Sequence, residues 1–303
     1  MRKIEHAALF AKPGNDIRLA QFDPAFTAGF ENKHDAKEKL RKDVEHLAAL
    51  QDVFYSDKRY ALLIIFQGMD AAGKDGAIRH VMSGVSPQGI DVYPFKQPSA
   101  QELSHDYLWR CSKVLPERGR IAIFNRSYYE ELAVVKVHAP ILKREHLPDK
   151  PAGENLWRDR YEDIVRFEQH LVRNGTVILK FFLHLSKDEQ RKRLLERIDV
   201  PEKNWKISPA DIHERTYWED YESAYEELLS NTSSDWAPWY IVPADRKWFT
   251  RAAIGDVIVE KLKELGLKYP LVSDQQRAEL VVERRDLAGK APAPPAPALN
   301  AAP

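Results

Sequence analysis

The 303-residue sequence predicts an α/β protein of three layers, with a parallel sheet covered by helices on both faces. Three observations predict it. Residues 61–66 form an apolar run without a polar interruption, as a strand buried on both faces requires. A glycine-rich loop and a helical pattern follow that run directly. Beyond them, apolar runs of strand length alternate with helical patterns as far as residue 265.

Residues 1–30 show little periodicity and read as an N-terminal arm over the surface. From His34 to Gln51, Leu40, Val44, Leu47 and Leu50 recur at helical spacing, with Lys and Glu on the other faces. Strands are expected at 61–67, 90–95, 120–124, 176–185 and 239–242. Helices are expected at 75–83, 99–114, 154–173, 186–198, 211–230 and 247–265. The main domain is thus read as 31–270, with 271–303 as an extension. From residue 286 onward Ala and Pro dominate, too little to offset the entropy of ordering, so disorder is expected there.

Composition excludes several classes. With 46 basic and 46 acidic residues, no global field draws the chain to nucleic acid or to a membrane, so a polyanion site must be a local concentration of Lys and Arg. The single Cys111 rules out an intrachain disulfide and a multi-cysteine zinc site, which suits a reducing cytoplasm. No secretory leader is read in the first residues, and no apolar run approaches the roughly 20 residues of a membrane span. A cytoplasmic protein is expected.

The loop Gly68-Met69-Asp70-Ala71-Ala72-Gly73-Lys74-Asp75-Gly76 is a G-x-x-x-x-G-K phosphate cradle between strand and helix. Its backbone N–H groups turn toward phosphate oxygens and Lys74 adds a point charge. Asp75 replaces the usual Ser or Thr, and Asp70 adds a second carboxylate. Two carboxylates beside a phosphate repel it unless a divalent cation lies between them, so Asp70 is a candidate metal ligand. Asp75 is another candidate, or a cap of the following helix.

A second cluster lies at the carboxyl end of the strand ending at Phe124, where open α/β sheets bind ligands. Asn125 can hold a phosphate oxygen or a metal-bound water, Arg126 can grip phosphate bidentately, and Glu130 follows one short turn later. Alternatively, 125–127 cap the next helix. A third signal is basic. Ser186 and Glu189 read as a capping box, followed by Arg193 and Arg197 on one helical face, then Lys203 and Lys206 in a proline-containing segment. These residues read either as a lid over phosphates, about 190–212, or as a solvated, salt-bridged helix. Lys96 and Arg110 are weaker candidates.

Gly68-Met-Asp-Ala-Ala-Gly-Lys-Asp75, Phe95-Lys-Gln-Pro-Ser99, Asp106-Tyr-Leu-Trp-Arg110 and Phe124-Asn-Arg-Ser-Tyr-Tyr-Glu130 occur in order. With Lys180-Phe-Phe-Leu-His-Leu-Ser-Lys-Asp-Glu-Gln-Arg191, Pro201-Glu-Lys-Asn-Trp-Lys206 and Ala237-Pro-Trp-Tyr-Ile-Val-Pro243, they resemble the family-2 polyphosphate kinases over roughly residues 20–270. The resemblance implies a thymidylate-kinase-like P-loop fold with a lid. It also implies Mg²⁺- or Mn²⁺-assisted phosphoryl transfer between inorganic polyphosphate and AMP, ADP or ATP, with guanine nucleotides as further candidates. It implies catalytic roles for Asp70, Lys74, Asn125, Arg126 and Glu130, and a metal on Asp70, with Asn125 as a second ligand, directly or through water. Asp106, Arg110 and Tyr129 become candidate nucleotide contacts, and a dimer or tetramer is implied. Many members carry Asp where this chain has Asn125; the Asn form with Glu130 is similar to the subgroup acting on both AMP and ADP. The competing readings are an ATP-dependent nucleoside monophosphate kinase and a non-catalytic nucleotide sensor.

Overall fold

A computed structural model describes residues 4–145, 147–148 and 155–289. A six-stranded sheet has the order β1-β6-β5-β2-β4-β3. Its strands are β1 (Phe10–Ala11), β2 (Ala61–Gln67), β3 (Ile90–Pro94), β4 (Ile121–Asn125), β5 (Thr176–His184) and β6 (Trp239–Pro243). The five longer strands are parallel, and β1 joins the edge antiparallel to β6. The five expected strands all occur within a residue or two of the expected ends. Alternate residues of β2 show why both faces are apolar. Leu62, Ile64 and Phe66 enter one buried cluster, while Leu63 and Ile65 enter the other.

On the first face lie α1 (Lys33–Asp57), α2 (Lys74–Val81) and α10 (Lys247–Glu264). The α1–α10 seam also buries Lys39, which pairs with Asp43 and Asp256, while His6 reaches Asp256 at 2.9 Å. On the other face lie a π-helical turn at Glu131–Val135, α6 (Leu156–Arg173) and α9 (Trp218–Thr232). The chain also forms α3 (Ala100–Leu103), α4 (Trp109–Ser112), α5 (Ala139–Leu142), α7 (Lys187–Asp199) and α8 (Pro209–Glu214). Among the described residues, no helix is long and apolar enough to cross a membrane.

Several expectations need correction. The first 30 residues do not simply lie over the surface: Ile4, Leu9, Ala11, Ile17 and Leu19 are buried and β1 extends the sheet. The helix expected at 99–114 is two short helices. Ser104, His105 and Asp106 break it by turning side-chain groups onto nearby backbone, with Asp106 Oδ1 accepting from the N–H of Leu108. The helix expected at 211–230 is split by the 3₁₀ turn Arg215–Tyr217.

The described residues 269–289 belong to a separate unit, which holds α11 (Asp274–Gly289). Residues 286–289 are helical rather than disordered; the rest of the Ala/Pro-rich tail, 290–303, lies outside the described residues.

Candidate active site

Strand β2 delivers its chain into the 68–76 loop at the carboxyl end of the sheet, beside the end of β4. Gly68 has φ +143°, and a Cβ there would stand 2.8 Å from the Leu183 carbonyl oxygen. Only glycine lets the loop pass β5 so closely. Ala71 and Arg126 adopt φ +64° and +65°, strained for residues with a Cβ, at the two turns that face each other across the site.

Lys74 is buried, and its Nζ donates to the carbonyls of Gly68 (2.6 Å) and Met69 (3.3 Å). Burial, aided by nearby Arg126, lowers its pKa from 10.5 to about 8. Arg126 donates to Asp70 and, at 2.7 Å, to Glu130. The Glu130 charge is the largest cause holding the Arg126 pKa above its ordinary value. Asn125 Nδ2 donates to Asp75 Oδ1, so Asp75 braces Asn125 and does not cap α2, whose N-cap is Gly73. Ser127, not Asn125 or Arg126, holds the following turn by accepting from the N–H of Tyr129 at 3.2 Å.

Two cavities meet here. The larger, about 1080 Å³, runs from the 70–77 loop past Asn125 and Arg126 to Arg197, Lys203, Trp205 and Lys206. Ten basic and four acidic side chains line it, so a chain with no net charge carries a concentrated cationic groove. The smaller, about 550 Å³, is lined by Asp106, Tyr107, Arg110, Glu130, Glu131 and the 134–135 wall among others. Phe95, Lys96 and Arg126 line both.

Most sequence candidates therefore converge. Asp70, Lys74, Asp75, Asn125, Arg126, Arg197, Lys203, Lys206 and Lys96 line the groove, and Asp106, Arg110 and Glu130 line the smaller cavity. Arg110 lies over the Phe95 ring (5.3 Å) and donates to the Lys96 carbonyl.

Two candidates differ from their expected roles. Tyr129 is fully buried: its hydroxyl donates to Glu168 and accepts from Lys180, so it does not reach the cavities. Arg193 lines the groove but is no free lid residue. Its Nε donates to Glu189, one terminal nitrogen to the carbonyls of Ala71 and Ala72, and the other to those of Ala244 and Asp245. Every N–H of its guanidinium is taken by protein. The capping box at Ser186 is half formed for the same reason. Ser186 Oγ accepts from the Glu189 N–H, while the Glu189 carboxylate serves Arg193 and the Ser186 N–H goes to Asp245.

Sequence reasoning missed Arg79, Lys247 and Arg251 in the groove. Arg79 is one turn beyond Asp75 on α2 and was within reach of a helical reading; Lys247 and Arg251 come from α10, and no local pattern marks them. It also missed buried Arg160, which donates to Glu145 at 2.7 Å, pairs with Glu131 and stacks over Tyr107 (5.1 Å) behind the smaller cavity.

The family model described as "Polyphosphate kinase 2 (PPK2)" matches residues 30–270. The chain is 53% identical to the "ADP-polyphosphate phosphotransferase" of Rhodopseudomonas palustris, over 94% of this chain and 99% of that protein. It is 42% identical to the "AMP/ADP-polyphosphate phosphotransferase" of Meiothermus ruber, over 86% and 93%. The crystal structure of a polyphosphate kinase 2 from Arthrobacter aurescens superposes with a TM-score of 0.80 at 38% identity, covering 90% of this chain and 98% of that one.

Proposed function

Belonging to the polyphosphate kinase 2 family, the chain is a polyphosphate:nucleotide phosphotransferase, and we propose that its two cavities divide the substrates. The basic groove takes polyphosphate, the smaller cavity takes AMP or ADP, and the phosphoryl group passes between them at Arg126. The observation that carries this reading is the shared lining: Phe95, Lys96 and Arg126 face both cavities. A donor and an acceptor phosphate must meet at one point for in-line transfer.

The residues present fit a divalent cation. Asp70, Asp75, Asn125 and Glu130 offer hard oxygen donors, and Glu130 Oε1 is buried with no hydrogen-bond partner among the described residues. With so few protein oxygens, a Mg²⁺ or Mn²⁺ here would complete its shell with substrate phosphates and water. Asp70, with Asn125, would hold the ion, and when bound it neutralises charge on the transferring group. The chain does the rest by positioning. Lys74 and Arg126 hold the transferring group, the loop amides cradle it, and Arg197, Lys203 and Lys206 hold the remaining polyanion.

Acceptance of AMP as well as ADP rests on Asn125 with Glu130, and on the name of the M. ruber relative; the R. palustris relative is named for ADP alone. Guanine nucleotides as further acceptors, assembly as a dimer or tetramer and a cytoplasmic setting belong to the same proposal. Incubation with polyphosphate, Mg²⁺ and AMP, ADP, GMP or GDP, without ATP, tests it. ADP and ATP form from AMP; phosphorylation only when ATP is supplied makes the chain a monophosphate kinase instead. Sedimentation of the same preparation measures the assembly.

A further inference from the structure

The loop is braced by two side chains on one face of α7. Gln190 and Arg193 are three residues apart, and both are 4% exposed. Gln190 Nε2 donates to the carbonyl of Asp70 at 3.0 Å, and Arg193 to those of Ala71 (3.0 Å) and Ala72 (2.9 Å). A trans peptide carries its C=O and N–H on opposite sides. Holding the Asp70 and Ala72 carbonyls therefore sets the N–H groups of Ala71 and Gly73 on the other side, available to an anion. The N–H of Ala72 is already used within the turn, donating to Met69.

Arg193 ends in the protein body, but Gln190 does not end the chain of contacts. Its Oε1 accepts from Arg215 at 2.8 Å, and the same guanidinium nitrogen donates to the Lys187 carbonyl at 2.7 Å. Arg215 begins the 3₁₀ turn that closes the segment Pro201–Glu214, the segment carrying Lys203 and Lys206 over the groove. Its neighbour Glu214 accepts from Tyr221 (2.7 Å) and meets His138 (2.8 Å), beside the wall of the smaller cavity. The base of the lid segment is thus tied to the loop through one amide.

We propose that Gln190 and Arg215 are positioning residues: the relay Arg215–Gln190–Asp70 carbonyl couples the seating of the lid base to the conformation of the phosphate loop. This rests on the polyphosphate groove reading for its kinetic consequence, not for its structural one. Arg215 makes no hydrogen bond to the loop among those of the described residues, so the hydrogen-bonded path from it to the loop runs through Gln190.

Hydrogen exchange on the full chain separates the two. In Arg215→Met the amide of Ala72, which donates to the Met69 carbonyl inside the loop, exchanges faster than in the wild type, and Arg215→Lys restores most of the protection; unchanged exchange at that amide overturns the relay. In steady-state kinetics, Gln190→Met and Arg215→Met each lower kcat by on the order of tenfold to a hundredfold while the nucleotide KM stays within about twofold. The double variant falls no lower than the lower single one, because both changes break one path. Losses that multiply in the double variant, or losses explained by a lower melting temperature, overturn it. If the wild type itself makes no ATP from polyphosphate, the functional reading fails, and the exchange result still decides the relay.

Discussion

Arg126 is where sequence and geometry meet most directly. Its backbone sits in the left-handed region at φ +65°, and its guanidinium joins the carboxylates of Asp70 and Glu130 across the mouth of both cavities. Lysine keeps the charge but loses the planar fork. Arg126→Lys is expected to lower kcat by about a hundredfold to a thousandfold, measured as ATP formed from polyphosphate and ADP, with the melting temperature little changed. Asp70→Asn is expected to abolish transfer without unfolding the protein; near-normal turnover in that variant removes Asp70 from the reaction. Lys74 makes a pH prediction. Its pKa of about 8 lies below the unfolded value of 10.5, so the cost of burying its charge is full below about pH 8 and relieved as pH rises toward 10.5. Binding runs the other way, because the polyanion needs the charged form. Polyphosphate affinity, measured by calorimetry, should fall as pH rises through about 8, and Lys74→Met should bind weakly with no such drop. Lys74, Asp70 and Arg126 were legible because each sits at a fixed offset in a motif. Tyr129 shared such a motif and is nonetheless a core residue, since an offset says nothing of which way a ring turns.

Among the elements, the strands were read closely and the helices less so. A buried parallel strand announces itself by an unbroken apolar run, as in β2 and β5, whereas a helix at 99–114 had no signal against its side chains bonding backbone at 104–106. The attachment of β5 to α6 shows what periodicity hides. Lys180 and Glu168 are both fully buried, 2.6 Å apart, with the Tyr128 and Tyr129 hydroxyls donating to the same carboxylate. Burial lowers the Lys180 pKa despite that partner. Removing one member leaves an uncompensated charge, so Glu168→Leu should cost about 3–5 kcal/mol in urea unfolding. The double variant Glu168→Leu with Lys180→Met should recover part of that loss, since an apolar pair needs no solvation.

Across the whole molecule, charge is balanced in composition and unbalanced in space. Helices α2, α7 and α10, the turn after β4 and the 201–206 segment bring their bases to one groove. The polyphosphate KM should therefore rise by at least about tenfold as salt increases from about 50 mM to about 500 mM, while the nucleotide KM in the less basic cavity changes less. Lys203→Glu combined with Lys206→Glu should raise the polyphosphate KM and lessen that salt dependence, with little effect on the nucleotide KM.

The sequence by itself determined the five parallel strands, the phosphate loop and the class of chemistry, because strand runs, glycine spacing and a lysine at a fixed offset are local properties of the chain. Only the tertiary structure decided which cations are free. Arg193 and Arg197 are one helical turn apart and read alike in sequence, yet Arg193 is enclosed by five protein acceptors while Arg197 lines the groove and gives one bond to the Lys206 carbonyl. The difference lies in the carbonyls of Ala71, Ala72, Ala244 and Asp245, which come within reach of Arg193 only when the loop and the end of β6 fold against α7. A guanidinium binds whichever acceptors surround it, and long-range packing chooses them.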